Sequence, residues 1–479
     1  MSWRIRIAVI RCIAAVAMLV AGAPQRGAAQ QAASASPRGL SDGDKARIDA
    51  IVNAGLKASG TPSASIAVVR DGAIAYEQAY GDMRVTPKRP AVPGARYAIG
   101  SVSKQFTATA ILLLAEDGKL SLDDRVAKWL PDLTRAGDIT IRQLLSMTSG
   151  YQDYYPQDYV FEAMQKPVTA RGILDQWAKK PLDFEPGTRW QYSNTNYTAA
   201  GVIIEKVTGG TLIDFLRRRV FTPLKMMSVV DLETQHLGDG DPARYRRNAV
   251  GPLRAAVPEA PGWIFAAGQL AMTAHDLALW DIAMIDQKLL RPASYREQRT
   301  DVLLTNGQGT RYGLGIGVTA LNGHRMLSHG GAVSGFASQN AVFPDDRVAV
   351  VVFGNSDASP TGDLATSIAN VVFDAADTGA AADLAIAKRM FAALQKGEVD
   401  RARLTHNADV YFTAEVLGDH RTSLGPLGAP TEFVQVNQNL RGGMQFRAFR
   451  VRAGGKALVV TMRSMPDGKI EQFLVTGTP

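Results

Sequence analysis

Ser101-Val102-Ser103-Lys104 stands at the head of an apolar run. Gly100 precedes it, Phe106, Ile111, Leu112, Leu113 and Leu114 follow, and Gly118 falls where a left-handed C-terminal glycine belongs. The pattern predicts a largely buried helix opened by Ser101. Residues three apart share a helix face, with Cβ atoms about 5–6 Å apart, so the Lys104 amine reaches back to the Ser101 hydroxyl. Free N–H groups and the positive dipole end at a helix N-terminus favour negative charge developing beside that serine. A serine attacks only when its proton is removed, and a lysine removes it only with a pKa well below the free value of about 10.4. Burial and a nearby cation both push that pKa down. The tetrapeptide alone arises by chance in most chains of this length, so its meaning rests on what accompanies it.

Tyr192-Ser193-Asn194 follows some ninety residues later, in the turn-rich stretch from Glu185-Pro186-Gly187 to Tyr197, just before a helical pattern through Val202, Ile203, Ile204 and Val207. A phenol at a loop-to-helix junction can pass a proton between nucleophile and leaving group, and an amide can bind a substrate carbonyl. The commoner fate of such residues is a packed ring and a helix cap. The third element is His329-Gly330-Gly331-Ala332. It follows Arg325-Met326-Leu327 and precedes two runs, 336–343 and 348–353, that read as antiparallel strands about a Pro344-Asp345-Asp346 turn. Paired glycines in a strand let a substrate backbone approach closely. A His-Gly-Gly string is also similar to the oxyanion loop of α/β-hydrolases, but there a Gly-x-Ser-x-Gly elbow follows, and this chain has none.

Ser101-x-x-Lys104, Tyr192-x-Asn194 and His329-x-Gly331, in that order, resemble the three motifs of class C serine β-lactamases, penicillin-binding DD-peptidases and the related esterases and D-aminopeptidases. The surrounding words match as well: Tyr97-Ala98-Ile99-Gly100, Leu144-Leu145-Ser146-Met147-Thr148-Ser149-Gly150, Ala266-Ala267-Gly268-Gln269-Leu270 and Tyr312-Gly313-Leu314-Gly315. The resemblance covers about residues 40 to 375. It implies the α+β β-lactamase/transpeptidase-like fold, an antiparallel sheet flanked by helices with a helical subdomain. It also implies an acyl-enzyme, with Ser101 as nucleophile, Lys104 and Tyr192 as base and proton relay, and Asn194 on the substrate amide. His329, Gly330, Gly331 and Ala332 would line the substrate site, and the N–H groups of Ser101 and Ala332 would form the oxyanion hole. The motifs leave open which of Lys104 and Tyr192 takes the first proton.

The β-lactamase form of the third motif is usually Lys-Thr-Gly, whose cation and hydroxyl hold the drug's carboxylate. Here His329 and Gly330 stand in those places, a mostly neutral imidazole and no hydroxyl. The expectation is therefore an exported serine hydrolase of esters or amides, of the esterase, D-aminopeptidase or DD-peptidase type. The alternatives are a β-lactamase, a non-catalytic binder of penicillin or muropeptides, and a transpeptidase that passes the acyl group to an amine. A Ser-Asp-Asn triad is absent from the sequence, which argues against class A deacylation through a glutamate-activated water.

The elements that must position these residues are legible in part. Arg4, Arg6 and Arg11 precede an uncharged apolar run from Cys12 to Ala23 and the small-residue segment Gly27-Ala28-Ala29. That is the pattern of a cleaved signal peptide over 1–30, too short for a membrane span, and it predicts a periplasmic or secreted protein. Cys12 is the one cysteine, so the mature chain would contain none, excluding disulfides and thiolate metal sites. Losing Arg4, Arg6, Arg11 and Arg26 takes the formal charge from +8 to +4, and nothing calls for nucleic acid.

Ile48, Ile51, Val52 and Leu56 mark one helical face, and 65–69 and 73–79 about Asp71-Gly72 read as a hairpin. Those strands and the three after Arg325 would share one sheet, with Ser101 between it and the helical middle of the chain. A hydrolase domain over 40–375, a small-residue linker over 376–382 and an α+β accessory domain over 383–479 complete the expected organisation. In the last, a helix carrying Leu384, Ala387, Met390, Phe391 and Leu394 precedes several strands, a pattern similar to the nuclear-transport-factor-like cone. The histidines show no metal-ligand spacing, and neither a metal nor a cofactor is expected. The expected partner is a small-molecule or peptide substrate.

Overall fold

Asp71 and Gly72 both take positive φ, 55° and 76°, the twist that a two-residue hairpin turn needs. They join β1 (Ser63–Arg70) to β2 (Ala73–Val85), and the short β3 (Lys88–Pro90) pairs with the outer side of β2. The structure is a computed structural model that describes residues 39–155, 162–249, 251–377, 379–441 and 444–477. The expected signal peptide lies outside the described residues. Far along the chain come β4 (Gly317–Leu321), β5 (His324–Val333), β6 (Phe336–Phe343) and β7 (Val348–Gly354). The seven strands form one antiparallel sheet in the order β3-β2-β1-β7-β6-β5-β4. An early and a late strand thus meet at its centre, where Ile66 pairs with Val352.

β1 and β7 are buried at nearly every position because both faces of the sheet are covered. On one face Ile66, Val68, Val350 and Val352 join a core with α1 (Asp42–Ser59) through Ile48 and Val52, and with Ile368 and Val372 of a late helix, Thr361–Ala376. On the other, Ala67, Val69, Val351 and Phe353 join a larger core with α2 (Ser103–Glu116), α3 (Asn194–Thr208) and α4 (Ala274–Ile285). The Thr361–Ala376 helix is α5. Phe106 of α2 stacks against Trp280 of α4, ring centroids 4.5 Å apart, which fixes the helix that carries Lys104. Ser101 does not open α2 itself. It sits in a 3-10 turn, Gly100–Val102, two residues before the helix begins, because Gly100 adopts φ +50° there.

A third core belongs to the C-terminal segment. α6 (Ala380–Leu394) buries Ala387, Met390, Phe391 and Leu394, the face expected from the sequence. Two helices that the sequence pattern does not announce follow, α7 (His406–Tyr411) and α8 (Ala414–Leu424), each capped by a threonine that accepts a backbone N–H. The strands β8 (Glu432–Arg441), β9 (Met444–Ala453), β10 (Lys456–Ser464) and β11 (Ile470–Gly477) form an antiparallel meander. Of the expected linker, 380–382 form the first turn of α6, leaving 377–379 between the helices; the alanines that suggest a flexible joint are strong helix formers. Arg447 is buried in this sheet and paired with Asp377 and Asp383, so charge as well as apolar contact ties α6 and its lead to the strands. Among the described residues no helix is long and apolar enough to cross a membrane.

Candidate active site

Lys104 is fully buried in the first turn of α2. Its Nζ lies 3.0 Å from Ser101 Oγ, 2.7 Å from Asn194 Oδ1 and 2.8 Å from the Ala267 carbonyl oxygen. The last two atoms can only accept. A neutral amine donates two N–H bonds, so with both directed at Asn194 and Ala267 its lone pair is left facing the Ser101 hydroxyl. Burial draws the Lys104 pKa down to about 7, against the pull of the Asp153 carboxylate, which favours the ammonium. An amine so placed can receive the serine proton near neutral pH.

Asn194 opens α3, and its carboxamide is held from the far side. Nδ2 lies 3.2 Å from each carboxylate oxygen of Asp153, and the Asn194 backbone N–H donates to Oδ1 at 2.9 Å. Tyr192, two residues earlier, lines the same cleft as Ser101, and its ring stands 4.9 Å from Lys104 Nζ. Burial raises the phenol above its ordinary value, so it rests protonated and able to donate. Trp190 and Tyr312 pack beside it, their centroids 5.8 Å apart.

The third motif lies on β5. β4 covers this strand only as far as Ser328, opposite Gly317, so the outer edge from His329 onward is free of strand partners. That uncovered edge faces the turn that carries Ser101. Gly100 and Gly331 allow the approach: a Cβ on Gly100 would stand 2.7 Å from the Ala332 nitrogen, and one on Gly331 would collide with the Ile99 carbonyl. The following turn is clamped from both sides, Ser334 N–H donating to Glu259 at 2.8 Å and its carbonyl accepting from Arg244 at 3.2 Å. Gly331→Ala is expected to cost about 1–3 kcal/mol, as overpacking does, and to abolish labelling of Ser101 by a fluorophosphonate. Thermal unfolding and a labelling time course check the two effects.

His329 is buried, with 8% of its surface exposed. Its Nδ1 lies 2.6 Å from the Gly330 carbonyl, which must accept, so Nδ1 carries the proton and Nε2 receives the Tyr312 hydroxyl at 2.9 Å. Burial, with the charge of Lys104 adding to it, lowers the imidazole pKa to about 4. The ring is therefore neutral, and it is turned toward Tyr312.

Ser101, Tyr192, Asn194, Gly330, Gly331 and Ala332 all line one cleft of about 440 Å³, together with Asp153, Tyr154, Tyr155, Ile264, Val333, Ser338 and Gln339. The structure brings together every residue expected at the site except His329, which stands behind the wall. Lys104 lies beneath the serine. Among the described lining residues none is lysine, arginine or histidine, and Asp153 is the one that can carry a charge. Asp153 and the Ala267 carbonyl are the two participants that the sequence does not point to. The one available signal is that Ala267 lies in a word matching the family.

Residues 48–373 match the family described as Beta-lactamase. Penicillin-binding protein 4* of Bacillus subtilis is 28% identical over 308 residues, 61% of this chain and 68% of its own. Protein flp of Staphylococcus aureus is 28% identical over 328 residues, 66% of this chain and 64% of its own, so the chain spans just under two thirds of that relative. A crystal structure of a D-stereospecific amidohydrolase from Streptomyces superposes with a TM-score of 0.58 at 29% identity, over 67% of this chain and 96% of that one.

Proposed function

The chain belongs to the Beta-lactamase family of serine hydrolases, and from that membership we propose that it cleaves esters or amides whose acyl part carries no carboxylate, through an acyl-enzyme on Ser101. The carrying observation is the three-point anchoring of Lys104, which directs its lone pair at Ser101 Oγ. Lys104 takes the serine proton as Oγ attacks the carbonyl carbon. Negative charge then gathers on the carbonyl oxygen, opposite the N–H groups of Ser101 and Ala332, and each such donor contributes about 3–4 kcal/mol of transition-state stabilisation. As the tetrahedral intermediate collapses, Tyr192 gives its proton to the departing oxygen or nitrogen and recovers one from Lys104. Water enters by the same route in reverse, and Ser101 is released.

The choice of substrate rests on the charge of the cleft. A β-lactam carboxylate would find no cation from His329, which is neutral and stands behind the wall, no hydroxyl at Gly330 and the like charge of Asp153. Charged hydrogen bonds of the kind it would lack contribute about 1.5–3 kcal/mol each, roughly 10- to 150-fold. Small aryl esters or D-amino-acyl amides are expected to show kcat/KM at least about tenfold above that of any penicillin or cephalosporin. Side-by-side turnover of an aryl ester, a D-amino-acid amide and a chromogenic cephalosporin decides it; a faster cephalosporin would make the chain a β-lactamase. The reading includes export ahead of action, with residues 383–479 as an accessory domain.

A further inference from the structure

Asp153 lines the cleft, half-buried, and no step of the reaction above employs it. It receives four hydrogen bonds: the Asn194 backbone N–H at 2.9 Å, Asn194 Nδ2 at 3.2 Å on each oxygen, and the Tyr155 N–H at 3.2 Å. Burial raises its pKa, while the bonds from Asn194 and Tyr155 and the charge of Lys104 pull the other way and favour the carboxylate, the form that accepts every one of these contacts. We propose that Asp153 is a positioning residue for the Lys104 base: by holding Asn194 Nδ2 it locks the carboxamide with Oδ1 turned to Lys104 Nζ, which keeps the amine's lone pair on Ser101. The inference rests on the reading of Lys104 as base.

The two ends of a carboxamide are nearly the same size and opposite in hydrogen-bonding character, so partners decide which way it points. With Oδ1 toward Lys104, the amine spends one N–H on Asn194, the other on Ala267, and its lone pair on Ser101. Were the amide reversed, Nδ2 would face Lys104 and donate into that lone pair. The amine could then no longer receive the serine proton. An acceptor-only group on the far side of Asn194 excludes the reversed form, since it would set the Asn194 oxygen against a carboxylate oxygen.

Asp153 acts on Lys104 by charge as well. The groups facing the amine are the Tyr192 and Tyr197 rings, at 4.9 and 5.5 Å, the Ser101 hydroxyl, and the neutral His329, whose own pKa Lys104 lowers. Among the described residues Asp153 is the anion that acts on Lys104, and it favours the ammonium. Removing that charge moves the titration of Lys104 to lower pH. A group that only packed the wall, uncharged or screened from Lys104, would change rates without moving it.

The test is the second-order rate of Ser101 labelling by a fluorophosphonate from about pH 5 to pH 10 in the wild type and in Asp153→Asn. The expected result is a plateau lowered by about tenfold to 10²-fold, as misplacement of a reacting group costs, together with an acid limb displaced to lower pH. Should Asp153→Asn not fold, Asp153→Ser carries the same two readouts while keeping an acceptor for the Asn194 N–H. A wild type that is not labelled at Ser101 removes the proposed function itself. A labelled wild type with variants whose acid limb stays in place overturns the role of Asp153 alone.

Discussion

Ser101→Ala is expected to abolish fluorophosphonate labelling and to lower ester turnover by at least ~10⁴-fold, the scale seen when a covalent nucleophile is removed. Folding should survive. The substitution removes one hydroxyl from a cleft wall, and Lys104 keeps its bonds to Asn194 and Ala267. Two neighbouring serines already have their hydroxyls engaged with the backbone: Ser338 donates to the Ile99 carbonyl, and Ser103 accepts the Leu270 N–H. Mass spectrometry of the labelled protein, with a thermal melt of the variant beside it, decides the matter. Stoichiometric labelling that persists in a folded Ser101→Ala protein would assign the nucleophile elsewhere.

Residues that act through their side-chain type are legible in the amino-acid order, and those that act through geometry are not. Ser101 and Lys104 announce themselves because three-residue spacing across the turn that leads into an apolar helix brings them together. Tyr192 and Asn194 follow from their place before a helix and from the order of the motifs. The Ala267 carbonyl cannot be read so, since every residue carries the same backbone acceptor and only the path of the chain aims this one at Lys104. Asp153 lies in Tyr151-Gln152-Asp153-Tyr154-Tyr155, where nothing local distinguishes a buried carboxylate from a turn residue. His329 shows the converse. Its motif position suggests a cleft residue, yet an imidazole beside Tyr312 finds a donor for Nε2 and a carbonyl for Nδ1 within the wall.

The same division runs through the fold. β1, β2, β5, β6 and β7 are visible as alternating or continuous apolar runs because each lies within the sheet. Its edges are not: β3 is Lys88-Arg89-Pro90, fully exposed, and β4 is short and half-buried, so neither shows a period. In the C-terminal segment α7 and α8 are hidden for a related reason. Each has a single residue fully buried, Ala408 and Leu424, and helices that contribute so little to a core leave no apolar stripe to follow.

Lys104→Ala is expected to lower turnover by ~10²- to 10⁴-fold, the range of lost acid–base assistance, and to erase the acid limb of the pH profile. In the wild type the base must be neutral, so kcat/KM rises with pH as the ammonium loses its proton, with its midpoint at the lowered value of about 7. A midpoint there would ordinarily be credited to histidine. His329 is already neutral, its pKa lowered to about 4, so it contributes no inflection between that value and the base's own. His329→Gln should therefore leave the midpoint in place whatever it does to the plateau, whereas Lys104→Ala should flatten the profile. Tyr192→Phe should lower the plateau by ~10²-fold and keep the limb, because a phenol raised by burial stays protonated across that range and serves after the first transfer. Initial rates with one aryl ester in the three variants separate the roles. A limb that vanishes in His329→Gln and survives in Lys104→Ala would move the base from the helix to the strand.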